Sequence, residues 1–137
     1  MEAKLKHLEF IQNVITRMNT NSFLLKGWAI TLVSALFALA AKDANQNYAY
    51  TACIAIPMFW ILDGFFLSQE RQYRGLYAHV AQLTAAQIDF NMNAQAYAIG
   101  KNRWAPAVFS RTLIVFYSAL IAVTLLVTLL MLWGPRH

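Results

Sequence analysis

The sequence predicts an all-α membrane protein: three transmembrane helices, an N-terminal amphipathic helix and a cytoplasmic extension of the second span. Three observations lead to this class. Phe23–Ala41, Tyr48–Leu67 and Thr112–Trp133 are apolar stretches of 19, 20 and 22 residues. At about 1.5 Å per helical residue they reach roughly 28 to 33 Å, enough to cross a hydrocarbon core. The only acids or bases within them are Lys26 and Asp63, each near one end of its stretch. The 137 residues are 59% apolar and 12% charged, too little polar surface for a soluble domain of this length.

Charge placement orients the spans. Lys4, Lys6, Arg17 and Lys26 precede or open the first, and Arg71, Arg74, Lys101, Arg103 and Arg111 lie between the second and third. The opposite side carries Lys42 and Arg136 alone. This positive-inside bias predicts a multi-pass membrane protein with a cytoplasmic N-terminus, an outside turn at Lys42–Asn47, a cytoplasmic middle segment and an outside C-terminus. It also accounts for the net charge of +5 without invoking nucleic acid. Ala38-Leu39-Ala40 resembles a cleavage site, but the run is too long and its acidic prefix too unlike a signal peptide, so a signal anchor is expected.

In residues 1–22, Leu8, Ile11, Ile15 and Met18 recur at helical spacing opposite Glu2, Lys6, Glu9, Asn13 and Arg17. This helix either lies among the headgroups or packs against the ends of neighbouring spans. Asn19-Thr20-Asn21-Ser22 is expected to break it, with Asn21 or Ser22 capping the first span, residues 23–41. Gly27, Thr31, Ser34, Ala38 and Ala41 form a stripe of small residues along that span. Such a stripe lets helices approach closely, within the subunit or between subunits of a homo-oligomer. In the second span, residues 48–67, Pro57 predicts a kink or a hinge. Phe66, Tyr73, Leu76, Tyr77, Val80 and Leu83 hold one arc, which predicts that this helix continues to about residue 83. Residues 84–106 alternate apolar and polar and read as a short β-hairpin or an ordered loop. Pro106 suits the first turn of a third span over 107–133, which Gly134-Pro135 ends.

Catalytic machinery is not expected. His7, His79 and His137 have no metal-ligand spacing, Cys53 is single, and Ser34 and Ser118 have no histidine in any span. No metal site and no cofactor is predicted. Asp63 is the leading candidate, because an acid within a span is costly unless paired and signals function by default. Lys26 lies at the same end of an antiparallel neighbour, so an intramembrane Lys26–Asp63 ion pair is expected. Asp63, Glu70 and Arg74 fall within about 40° on a helical wheel, Glu70 and Arg74 being i, i+4. Arg71 points elsewhere, toward another chain, a lipid phosphate or an anionic ligand. With Tyr73 and Tyr77 these residues either anchor the helix among headgroups or receive a nucleotide-like signal.

The run Leu62-Asp63-Gly64-Phe65-Phe66-Leu67-Ser68-Gln69-Glu70-Arg71-Gln72-Tyr73-Arg74-Gly75-Leu76-Tyr77 resembles the LDxxxLxxERxxRxLY helix of small bacterial inner-membrane proteins. Asp89–Asn93, Phe109–Thr112 and Phe116-Tyr117 fit the same pattern. Such proteins look like the transmembrane effectors of anti-phage defence systems. The resemblance implies a non-enzymatic homo-oligomer that permeabilises the membrane when a cytosolic sensor protein or nucleotide signal triggers it. Asp63, Glu70, Arg71, Arg74 and Tyr77 would then form the coupling site, and Asp63→Ala or Arg71→Ala would abolish the leak. The alternatives are an accessory subunit of a larger membrane complex and a small proton-coupled transporter using Asp63.

Overall fold

A computed structural model describes residues 2–43 and 45–133. It contains α1 (Glu2–Asp43), α2 (Asn47–Ala81), α3 (Trp104–Val108) and α4 (Arg111–Trp133). Single 3₁₀ turns at Ala85–Gln87, Gln95–Tyr97 and Gly100–Asn102 lie between α2 and α3. No strand occurs among the described residues. Three helices, α1, α2 and α4, are long and apolar enough to cross a membrane, the architecture of a multi-pass membrane protein. The Gly134-Pro135 stop and the terminal Arg136 and His137 lie outside the described residues.

α1 and α2 form a long antiparallel hairpin. Its turn is tightened by Asn45, whose Oδ1 accepts from the Asn47 backbone N–H at 3.0 Å. The expected break at 19–22 is absent: α1 is one helix of 42 residues. The physical reason is the seam it presents to α2. His7, Ile11, Ile15, Ser22, Ala29, Val33 and Ala40 are buried and repeat at nearly heptad spacing straight through the polar tetrad. Asn, Thr and Ser each cost at most about 0.7 kcal/mol in a helix interior, less than the packing an interruption would lose.

The seam divides into two cores. In the apolar half, Ala29, Val33, Ala52, Ile56, Leu113 and Tyr117 are buried together. Toward the charged end, Ile11 and Ile15 of α1 pack on Leu76 and Val80 of α2 and on Ala94. The amphipathic segment thus packs against the extension of its neighbour. α2 stops at Ala81, two residues before the expected end. Pro57 lies inside α2 on its exposed face, and the helix continues past it.

The apolar half is inverted relative to a soluble protein. Small residues such as Ala29, Ala40, Ala49 and Ala52 are buried, while Trp28, Ile54, Met58, Leu126 and Leu130 face outward. Close approach of helices and a large apolar exterior are what lipid as solvent requires. α4 turns Leu113, Tyr117, Thr124 and Thr128 inward. These two buried threonines satisfy their hydroxyls on the carbonyls of Leu120 and Thr124, at 2.7 and 2.8 Å.

Residues 84–106 form an ordered loop rather than a hairpin. The alternating polar residues build successive side-chain turns: Asp89 Oδ1, Asn91 Oδ1 and Asn93 Oδ1 accept from the backbone N–H two residues on, at 2.9 to 3.0 Å. The third span also starts later than expected. Pro106 belongs to the separate helix α3, and α4 begins at Arg111 after Phe109 and Ser110. Gly64 permits this: a Cβ there would stand 2.9 Å from Val108 Cα, so only glycine lets α3 pack on α2.

Candidate functional site

The three long helices share one buried polar site. Asp63 of α2 is fully buried. Lys26 of α1 places Nζ 2.6 Å from Asp63 Oδ2. Ser22 Oγ, one turn before Lys26, donates to Asp63 Oδ1 and accepts from Lys26 Nζ at 2.9 Å. Tyr117 of α4 donates its hydroxyl to Asp63 Oδ2 at 2.9 Å. One carboxylate therefore collects a donor set from both neighbouring helices, which satisfies its charge where water is excluded.

Aromatic side chains brace the site. Trp60 stacks on Tyr117 with ring centroids 5.8 Å apart and planes 7° from parallel. The Trp60 indole donates to Val108 O at 2.7 Å, and the Trp104 indole donates to Ile61 O at 2.9 Å. These two bonds and the Gly64 contact fasten α3 beside the carboxylate. Lys26 Nζ also lies 5.9 Å from the centre of the Phe116 ring, within cation–π range. The side chain of Lys26 remains 18% exposed.

The depths of the three helices agree. Asp63 is 15 residues from Tyr48, Lys26 is 16 from Lys42, and Tyr117 is 16 from Trp133. At about 1.5 Å per residue, each contributor stands roughly 22 to 24 Å from the far end of its span. In a hydrocarbon core about 30 Å thick the site sits some 6 to 8 Å inside the boundary at the charged end. It is the polar joint of an otherwise apolar bundle.

The remaining sequence-predicted residues do not join it. Glu70 and Arg74 pair with each other at 2.7 Å, two turns along α2 from Asp63. Arg71 reaches back rather than outward, donating to Lys101 O at 2.7 Å. Tyr77 is half-buried against the Ile11, Ile15 and Leu76 core. Beside Arg71, Ser68 Oγ donates to Asn102 O at 2.6 Å, and Gln72 bonds both Ser68 Oγ and Asn102 O. The geometry of this stretch is thus a clamp on the loop, and Glu70, Arg71 and Arg74 sit along it. The stripe Gly27, Thr31, Ser34, Ala38 and Ala41 is exposed along its whole length. The expectation that it packs within the subunit is corrected: Ala29, Val33 and Ala40 fill that role.

Sequence reasoning missed Ser22 and Tyr117 as donors. Ser22 is one helical turn from Lys26, and Tyr117 is the hydroxyl of the third span at the depth of Asp63; both signals were present. It also missed His7, which is fully buried and donates from Nε2 to Asn91 O at 2.9 Å. Among the described residues no group of three His, Cys, Asp or Glu side chains could hold a metal ion. Comparison of the chain with models of protein families, with characterised proteins and with solved structures finds no match.

Proposed function

We infer that this chain is a non-enzymatic, homo-oligomeric effector of a bacterial inner membrane, in which the Asp63 joint holds the resting state closed. The observation that carries the reading is the joint itself: one buried carboxylate ties α1, α2 and α4 together. Both α1 and α2 run unbroken from their membrane halves into the charged end. A displacement at Ile11, Ile15, Leu76 and Val80 is therefore delivered along rigid helices to Lys26 and Asp63. A cytosolic sensor protein acting on that end would shift α1 against α2 and separate the ion pair. Defence against phage is the setting that the LDxxxLxxERxxRxLY resemblance implies.

The centre of a single subunit is filled by Val33, Ile56 and Tyr117, so a leak requires several copies. The exposed small-residue stripe of α1 is suited to bringing them together. The same stripe equally suits a helix of a larger complex, which supports the accessory-subunit reading. Cytoplasmic placement of the charged end follows from its excess of Lys and Arg.

Because Asp63 joins the closed spans, its neutralisation is expected to release the bundle rather than abolish the leak. The test is ion flux from proteoliposomes containing the purified chain. Asp63→Asn should raise resting flux at least several-fold over wild type. A variant that reconstitutes normally yet stays as tight as wild type would remove Asp63 from the mechanism. Wild type that copurifies as one copy within a larger complex would favour the accessory reading.

A further inference from the structure

The α1–α2 hairpin has one face that α4 does not cover. Lys26, which meets α4, and Trp28 lie about 160° apart on α1 at 100° per residue. On the Trp28 side two hollows follow one another along the hairpin. Asn21, Trp28, Leu62 and Phe66 line the first, of about 320 Å³. Leu32, Ala55, Met58 and again Leu62 line the second, of about 340 Å³. Sharing Leu62, the two make one continuous apolar groove between the helices.

The groove matches a single leaflet in length and depth. Asn21 is 21 residues from Lys42 and Leu32 is 10, so the groove spans roughly 32 to 15 Å from the far boundary. The upper figure is the edge of a hydrocarbon core about 30 Å thick and the lower is its midplane. One turn beyond Asn21, on the same face of α1, stands Arg17. At about 37 Å it falls in the headgroup layer. Arg17 is exposed, and no described acid lies within ion-pair distance of it.

We propose that this groove binds one phospholipid of the leaflet at the charged end, an acyl chain lying against Trp28, Leu62 and Met58 and the phosphate paired with Arg17. The groove supplies a surface one acyl chain long whose one polar lining side chain is Asn21 at its mouth, and the Arg17 guanidinium one turn beyond supplies a charge complementary to the phosphate. The Asp63 joint lies across the hairpin from it, so the lipid would wedge the α1–α2 seam from the side opposite α4. This assignment stands independently of the effector reading.

Native mass spectrometry of the full chain, extracted from membranes in mild detergent, tests it. Wild type should retain one phospholipid per chain. Ala55→Trp fills the inner end of the groove and should cut that occupancy at least ten-fold. Arg17→Gln removes the headgroup contact and should cut it about five-fold, the factor one cation at headgroup level contributes. Arg17 lies outside both cores, so its variant tests the site even if Ala55→Trp does not fold. Wild type without a retained phospholipid would overturn the proposal, as would occupancy that Arg17→Gln leaves unchanged. A lipid-free dimer that Ala55→Trp dissociates would assign the groove to a second copy of the chain and overturn it too.

Discussion

Substituting Lys26 by methionine keeps most of the side-chain volume and leaves Asp63 without its cation. Removing one partner of a buried ion pair costs about 3 to 5 kcal/mol, because the remaining charge has lost both its water and its counter-ion. Two features place this site at the lower end. Lys26 retains 18% exposure, so the pair is partly screened, and Asp63 keeps Ser22 and Tyr117 as donors. The expected loss is therefore about 3 kcal/mol, on the order of a hundred-fold in the folding equilibrium. Asp63→Asn should cost less, since the amide oxygen still accepts from one of the two hydroxyls of Ser22 and Tyr117, its NH2 can donate to the other, and Lys26 can extend toward the headgroups. The double variant removes both charges and should be more stable than the sum of the single effects by about 2 kcal/mol. Equilibrium unfolding in mixed detergent micelles, followed by circular dichroism, measures all four proteins. Effects that add to within about 0.5 kcal/mol would show that the two residues do not interact and would refute the joint.

Gly64→Ala places a methyl group against Val108 and should cost about 1 to 3 kcal/mol while pushing α3 outward. Altered emission from Trp60 and Trp104, whose indole bonds fasten α3, would report the shift, and an unchanged spectrum would count against that packing. Ile11→Ala should cost about 2 to 5 kcal/mol in the core at the charged end and speed tryptic cleavage at Lys4, Lys6 and Arg17. Equal cleavage rates would mean that α1 is not docked there. Ala38→Leu on the exposed stripe should leave subunit stability within about 0.5 kcal/mol yet reduce particle size in detergent. An unchanged size would remove the stripe from oligomer contacts.

What was legible in the sequence follows from what lipid demands. The three spans are visible because 20 or so apolar residues have few other uses, and the Lys26–Asp63 pair is visible because antiparallel neighbours put the two charges at one depth. The rest was hidden by competition between local and tertiary terms. Asn19–Ser22 carries every local sign of a helix break, yet the seam on either side of it holds α1 straight, and Ser22 spends its hydroxyl on Asp63 instead of a cap. Pro106 satisfies the preference for an early helical position in α3 as well as it would in the span. The Asp89, Asn91 and Asn93 alternation has the period of a strand, but each side chain bonds the backbone two residues on. Tyr117 was passed over because a hydropathy reading counts charges and overlooks a single hydroxyl facing inward.

The joint is the claim on which the rest depends, and it can be observed in a bilayer. Solid-state NMR on the full chain in lipid, with Asp63 labelled at Cγ and Lys26 at Nζ, measures the dipolar coupling between the two. Given Nζ at 2.6 Å from Oδ2, a strong coupling is expected in wild type, and it should persist in Arg71→Ala, whose side chain contacts the loop instead. Well-resolved spectra with no coupling between these atoms would contradict the account.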